Sequence, residues 1–292
     1  MESMGNRVGV RLLGSFGILS LSLLAGSQDL DRARNLYELT QFEESLKVLS
    51  AIPDKTAAVY ELTGMNYFMN GEYKKATDAL EKAVQKEPAN SDYFMWLGRA
   101  YGRRAETSNP LSAIGHASKT HQYFERAVQL NPRNIEALND LLEYYLEAPG
   151  FMGGGVEKAQ AVINRISQVD PSEGHWAQST LDEKHKEYGK AEQQLRRALE
   201  LAPSQVSRFM DLARFLFKQG RYQEGEQNFA RAEQMAPDNA KLLYVRADCY
   251  VKAGRNLDTA RDLLQRYLKA NVTPDDPPKA DARRLLRQIQ GG

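Results

Sequence analysis

Residues 60–88 read YELTGMNYFMNGEYKKATDALEKAVQKEP, and their order of large and small residues returns along most of the chain. Tyr60, Gly64 and Tyr67 recur 34 residues later as Phe94, Gly98 and Tyr101. The same step carries Leu195, Ala198 and Pro203 onto Phe229, Ala232 and Pro237. It also carries Phe209, Leu216 and Gly220 onto Leu243, Tyr250 and Gly254. A fixed period of this size marks a stack of like units rather than one folded core. Within the unit, Tyr60, Gly64 and Tyr67 are four and three apart and share one helix face. Asn70-Gly71 frees the chain to turn. Ala76, Leu80 and Ala83 form the inner face of a second helix. Pro88 stops it by disfavouring helical geometry in the residue before. Small residues at 64, 76 and 83 allow close approach, and Tyr67, Tyr73 and Leu80 fill the remaining space.

This spacing resembles the tetratricopeptide repeat, a helix–turn–helix unit. The family's pattern falls on Tyr60, Thr63, Gly64, Tyr67, Ala76, Leu80, Ala83 and Pro88, with Thr63 in place of the usual Leu. The resemblance covers roughly residues 30 to 270. It implies an all-α fold, a right-handed α–α superhelix of about six helix pairs with capping helices, and a general binding role without chemistry.

The expected division is a degenerate repeat at 29–56, then repeats at 57–90, 91–134, 135–171, 172–205, 206–239 and 240–274. Together they make a solenoid over 28–272, with a capping helix at 275–292. In the first repeat Leu36, Leu39, Phe42, Leu46 and Leu49 supply the apolar face. Two repeats are too long. Pro88 to Pro132 is 44 residues, with the surplus between Arg103 and Lys119, read as a lengthened helix pair or a protruding loop. Pro132 to Pro171 is 39, with the surplus in Ala148–Gly155. The glycines of that loop follow no strand and precede no Gly-Lys-Ser/Thr, so they read as a flexible turn rather than a phosphate cradle. The repeat at 172–205 is irregular, with Gln178 and Asp182 where apolar residues belong. Gly225 replaces an Ala and costs about 1 kcal/mol of helix propensity. Asp276 with Pro277 is expected to start the last helix, with Leu285, Leu286 and Ile289 inward.

Residues 1–27 differ from the rest. Arg7 and Arg11 precede the apolar run Leu12–Ala25, which ends in small residues before Gln28. This is the layout of a secretory signal peptide, cut near Gln28, or otherwise of an N-terminal membrane anchor. The expected location is therefore exported, periplasmic or secreted, or anchored at a membrane by that segment. The net charge of +1 offers no global field for nucleic acid. Cys249 stands alone and makes no internal disulfide.

The histidines, at 116, 121, 175 and 185, lack zinc-site spacing, and no nucleophile elbow or dinucleotide fingerprint occurs. No catalytic residue, metal ligand or cofactor is expected. What remains is the concave surface of the superhelix. In the family the outward positions two, five, nine, twelve and thirteen of each repeat meet the ligand. The resemblance thus assigns the groove to Met65, Met95, Arg99, Arg103, Asn139, Trp176, Met210, Arg214, Tyr244 and Asp248. The carboxylate-clamping set of chaperone-binding relatives is absent, since Glu61 and Asp92 stand where cations or amides are wanted. The expected function is a non-enzymatic scaffold binding a peptide or helix of another protein. The alternatives are a subunit of a larger envelope assembly docked through its edges and inserted loops, and an enzyme or carbohydrate-binding protein using Trp176.

Overall fold

A computed structural model describes residues 16–290 of the chain, with side chains from Ser27 onward. Residues 1–15 of the expected leader lie outside the described residues. Fifteen α-helices and no strand occur among the described residues. The chain begins with α1 (Phe16–Glu38) and α2 (Phe42–Ala51), followed by α3 (Ala57–Met69) and α4 (Tyr73–Lys86). Next come α5 (Ser91–Thr107) with α6 (Pro110–Leu130), and α7 (Ile135–Glu147) with α8 (Val156–Val169). They are followed by α9 (Pro171–Lys184), α10 (Tyr188–Leu201), α11 (Val206–Lys218) and α12 (Tyr222–Met235). The last are α13 (Ala240–Ala253), α14 (Leu257–Lys269) and α15 (Lys279–Gln290). Each helix packs on its sequence neighbour, and α3, α5 and α7 also touch in turn, which is an α–α superhelical solenoid.

The repeat motif produces this locally. Prolines follow the second helices, and after Pro88, Pro132 and Pro237 the Asn two residues later caps the next first helix. Asn90 accepts from the Asp92 amide at 2.9 Å, Asn134 from Ala137 at 3.1 Å and Asn239 from Leu242 at 3.0 Å. Gly64 and Gly98 are close-approach points. A Cβ on Gly64 would lie 2.4 Å from Leu80 Cγ, and one on Gly98 2.5 Å from the Phe124 ring. Serines then link the units. Ser91 donates to Ala127 O at 3.0 Å and accepts from Asn134 of the next repeat at 2.9 Å. Ser172 donates to Ala198 O at 2.9 Å and accepts from Arg208 of the next repeat at 3.1 Å.

The surplus of the 91–134 repeat is a lengthened helix pair, α5 and α6. Asn109 caps α6, whose first residue is Pro110, and Leu111 and Ile114 near its start are exposed. The 148–155 surplus is held in place. A 3-10 turn at Gly150–Met152 leads into α8, with Gly155 N donating to Tyr145 O at 2.9 Å and Tyr144 donating to Met152 O at 2.8 Å. The expected flexible turn is therefore a hydrogen-bonded one, from which Phe151 projects into solvent.

Two further expectations are corrected, and a third gains a packing reason. Leu39 is exposed, because Ala33 and Tyr37 take the inner face of α1. Asp276 accepts from Thr273 N at 2.7 Å and caps that turn, while α15 starts later, at Lys279. Gly225 is a packing position, because a Cβ there would lie 2.4 Å from the Phe217 ring. As expected, α15 covers the open end with Leu285 and Ile289 buried.

In the irregular repeat, Gln160 donates to Gln178 at 3.0 Å and Gln178 to Asp182 at 2.8 Å. This chain satisfies the polar residues that displace apolar ones there, Asp182 being buried. Here α9 and α11 do not meet as α3 and α5 do. The gap is spanned by the Arg208 side chain, 4% exposed, which reaches Ser172, Glu173 and Asp211.

Candidate partner-binding trough

The inner faces of α3, α5 and α7 enclose two cavities. One, about 560 Å³, is lined by Tyr37, Glu61, Met65, Met95, Trp96 and Asn134, and also by Pro274 and Asp275. The solenoid thus curls far enough for the turn before α15 to reach the trough near its first repeat. The other, about 510 Å³, is lined by Ala105, Ala117, Phe124, Tyr144, Pro149 and Met152, with Arg103, Glu143 and Glu147 at its polar side. Phe68, Arg99 and Asp140 line both. The second cavity exists because of the two surpluses: the lengthened α5 and α6 carry Ala105 and Ala117 to it, and the 148–155 turn supplies Pro149 and Met152.

The charges here are crowded. Arg99 Nε donates to Asp140 at 2.6 Å and its Nη2 to Glu136 at 3.1 Å, while the guanidinium lies 5.0 Å from the Trp96 ring centre. Burial works against the Arg99 charge, and these two carboxylates more than restore it. Burial pushes the Asp140 carboxyl up to about 6 despite that pairing. Glu61 rises to about 7, first through burial and then through Asp92 and Glu87, against the pull of Arg34. Burial also raises Glu143. Arg103 pairs with Glu106 and donates to the Tyr73 hydroxyl at 3.3 Å.

Met65, Arg99 and Arg103 therefore meet in one continuous surface. Met95 lines the first cavity but is only 4% exposed and belongs to the core around α7. Of the expected groove residues, Met95, Trp176, Met210 and Tyr244 do not form an open surface. Met210 is 4% exposed in the core between α11 and α13. Trp176 is half-buried against two core clusters, on either side of its helix. Tyr244 packs on Tyr267, ring centres 5.4 Å apart. Asn139 donates to Glu173 at 2.7 Å, and Asp248 accepts from Lys252 at 2.7 Å. Arg214 is exposed and makes no ion pair among the described residues. Phe68, Asp140, Tyr144 and Met152 were not singled out for the groove, whereas Glu143 stands at a ninth position that the resemblance does point to. The signal that bears on them is the length of the two surpluses, which widens the trough beside them.

Among the described residues no group of His, Cys, Asp and Glu is placed to hold a metal ion. Burial pushes the Cys249 thiol up to about 12, so it stays protonated and packs as a small apolar group. His121 stacks on Tyr144 at 4.9 Å, and His175 Nδ1 is hydrogen-bonded to Gln194 Oε1 at 2.6 Å. The arrangement suits recognition of extended chains by a concave surface.

Tetratricopeptide-repeat family models match residues 177–240 and 216–289. Residues 177–289 thus carry tetratricopeptide repeats. Anaphase-promoting complex subunit 3 of Schizosaccharomyces pombe is 24% identical over 258 residues, 82% of this chain and 36% of that protein. This chain thus spans about a third of that relative's length. Photosystem I assembly protein Ycf3 of Rippkaea orientalis is 27% identical over 129 residues, 42% of this chain and 69% of that protein. A tetratricopeptide repeat protein from Parabacteroides merdae superposes with a TM-score of 0.58 at 13% identity, over 91% of this chain and 99% of that one. This last likeness concerns the fold alone. Tetratricopeptide-repeat proteins generally mediate protein–protein interaction and are generally non-enzymatic.

Proposed function

We propose that the protein is a non-enzymatic scaffold that holds an extended or helical segment of another protein in the trough of α3, α5 and α7. The observation that carries this is the continuity of the two cavities through Phe68, Arg99 and Asp140. A concave surface with aromatic, Met and Arg groups at its centre has the composition of binding hot spots. The basic, apolar start of the sequence supports an exported or membrane-associated location. Among the described residues no helix is long and apolar enough to cross a membrane. The test is a photo-crosslinking residue placed at Met65 or Arg103, compared with one at Gln85 on the outer helix α4, in native cells. Trapping of the same protein at 65 and 103 but not at 85 is expected. Trapping at 85 alone, or equally at all three, contradicts the reading.

A second reading, docking into a larger assembly through the inserted segments, rests on Leu111, Ile114 and Phe151. These are 86%, 55% and 85% exposed at the two insertions. Replacing Leu111 and Phe151 by Ser while the trough still crosslinks its partner separates the two. Lost assembly would favour docking through the insertions.

A further inference from the structure

We infer that the segment bound in this trough is basic, with lysine or arginine side chains flanking a bulky apolar one. The inference rests on the trough being the binding surface and adds the chemistry of its occupant. The carboxylates lining the two cavities number four on one and six on the other, and with Asp140 shared that makes nine. Two guanidiniums, Arg99 and Arg103, and no lysine line the same surface. Four of the nine have a cationic partner: Asp140 and Glu136 share Arg99, Glu106 takes Arg103, and Glu147 takes Lys184. Glu38, Glu61, Asp92, Glu143 and Asp275 have no salt bridge among the described residues. Concave walls of one sign attract ligands of the other and disfavour ligands of their own.

The cavity between α5, α6 and α7 supplies the apolar half of the recognition. Its walls are Phe68, Phe124, Tyr144 and Met152, and the small side chains of Ala105 and Ala117 leave about 510 Å³ open. That volume lies within the range of ligand pockets and exceeds a single large side chain. An apolar side chain seated there would lie beside Glu143, with the next basic residues directed along the trough toward Glu61.

The test uses the full chain and short fluorescein-labelled peptides read by anisotropy. One peptide alternates lysine and leucine, a second glutamate and leucine, and a third lysine and serine. The lysine–leucine peptide is expected to bind saturably and the other two at least about tenfold more weakly. Glu143→Lys, which reverses a rim charge, and Ala105→Trp, which fills the cavity, are each expected to weaken it about tenfold with unchanged melting temperature. Tighter binding of the glutamate–leucine peptide, lost on Ala105→Trp, would overturn the basic occupant while leaving the trough as a binding surface. Equal binding of the lysine–leucine peptide to both variants, or no binding of any peptide, would overturn the inference outright. Failure of the trough itself reads out separately, in the crosslinking at residues 65, 103 and 85.

Discussion

The two halves of the trough follow one repeat pattern and end in different states. Over α3, α5 and α7 the inner positions border open cavities, and their carboxylates outnumber their cations. Over α11 and α13 the equivalent positions are used up in packing. Met210, Phe217 and Val251 are 4%, 6% and 9% exposed, all within the core that α14 and α15 complete. The difference comes from spacing. Between α11 and α13, 34 residues apart, the first helices close on one another around Met210 and Val245. Where two surpluses intervene, the helices carry small residues and a braced turn into the gap, and space remains. Position within a repeat therefore sets direction, and the neighbouring repeat decides whether a side chain is available.

Arg99 ties α5 to α7 and Arg208 ties α9 to α11, and these two ties should break unequally. Arg208, 4% exposed, joins Glu173 and Asp211 across a gap that the helices leave. Arg208→Leu strands two half-buried carboxylates and should cost about 3–5 kcal/mol in urea unfolding. Loss of Arg99 leaves Glu136 in water and strands only the half-buried Asp140, so Arg99→Leu should cost less, about 1–3 kcal/mol. Equal losses would show that the two halves are not packed differently.

A pair of glycines sharpens the same point. Gly225→Ala gains up to about 1 kcal/mol of helix propensity but drives a methyl to 2.4 Å from the Phe217 ring, so a net loss of about 1–2 kcal/mol is expected. Gly189, near the start of α10, has nothing within 4 Å of an added Cβ. Gly189→Ala should raise stability by about 0.5 kcal/mol. A stabilising Gly225→Ala would mean that the second half is looser than its burial indicates.

A further effect is a pH slope to which Glu61 in the first half contributes. The Glu61 carboxyl is raised from 4.5 to about 7 in the folded chain, so the folded state binds the extra proton between those values. Its contribution is complete below about pH 4.5 and is lost as the pH climbs through 7. Allowing for partial exposure, that is about 1 kcal/mol. Melting temperatures measured from pH 5 to 8 should fall, and Glu61→Gln should remove part of the slope. An unchanged slope in that variant would place the titration elsewhere.

The sequence made the helices legible because each rests on local signals: prolines at the stops, Asn caps two residues later, and small residues opposite large ones. The surplus in α5 and α6 could be read as either a lengthened pair or a protruding loop, and the capping role of α15 could be read for the same reason. Availability of the inner residues was not legible. Met95 and Met210 occupy the same register as exposed groove residues, and their burial is set by helices that lie tens of residues away. Nor do local signals show that Pro274 and Asp275 border the first repeat, since that depends on curvature accumulated over the whole stack. Gly225 reads as a defect in helix propensity until the Phe217 ring is seen resting on it. Leu39 carries apolar spacing, but the direction of α1 gives its inner face to Ala33 and Tyr37.

The openness of one half and closure of the other are tested most directly by thiol labelling. In a Cys249→Ala background, single cysteines would be placed as Met65→Cys and Ala105→Cys in the first half, and Met210→Cys and Val251→Cys in the second. Maleimide labelling rates are then compared under native conditions. Labelling at 65 and 105 at least about tenfold faster than at 210 and 251 is the expected result, because buried thiols react only through opening. Comparable rates at all four positions would contradict a trough open over α3, α5 and α7 and sealed over α11 and α13.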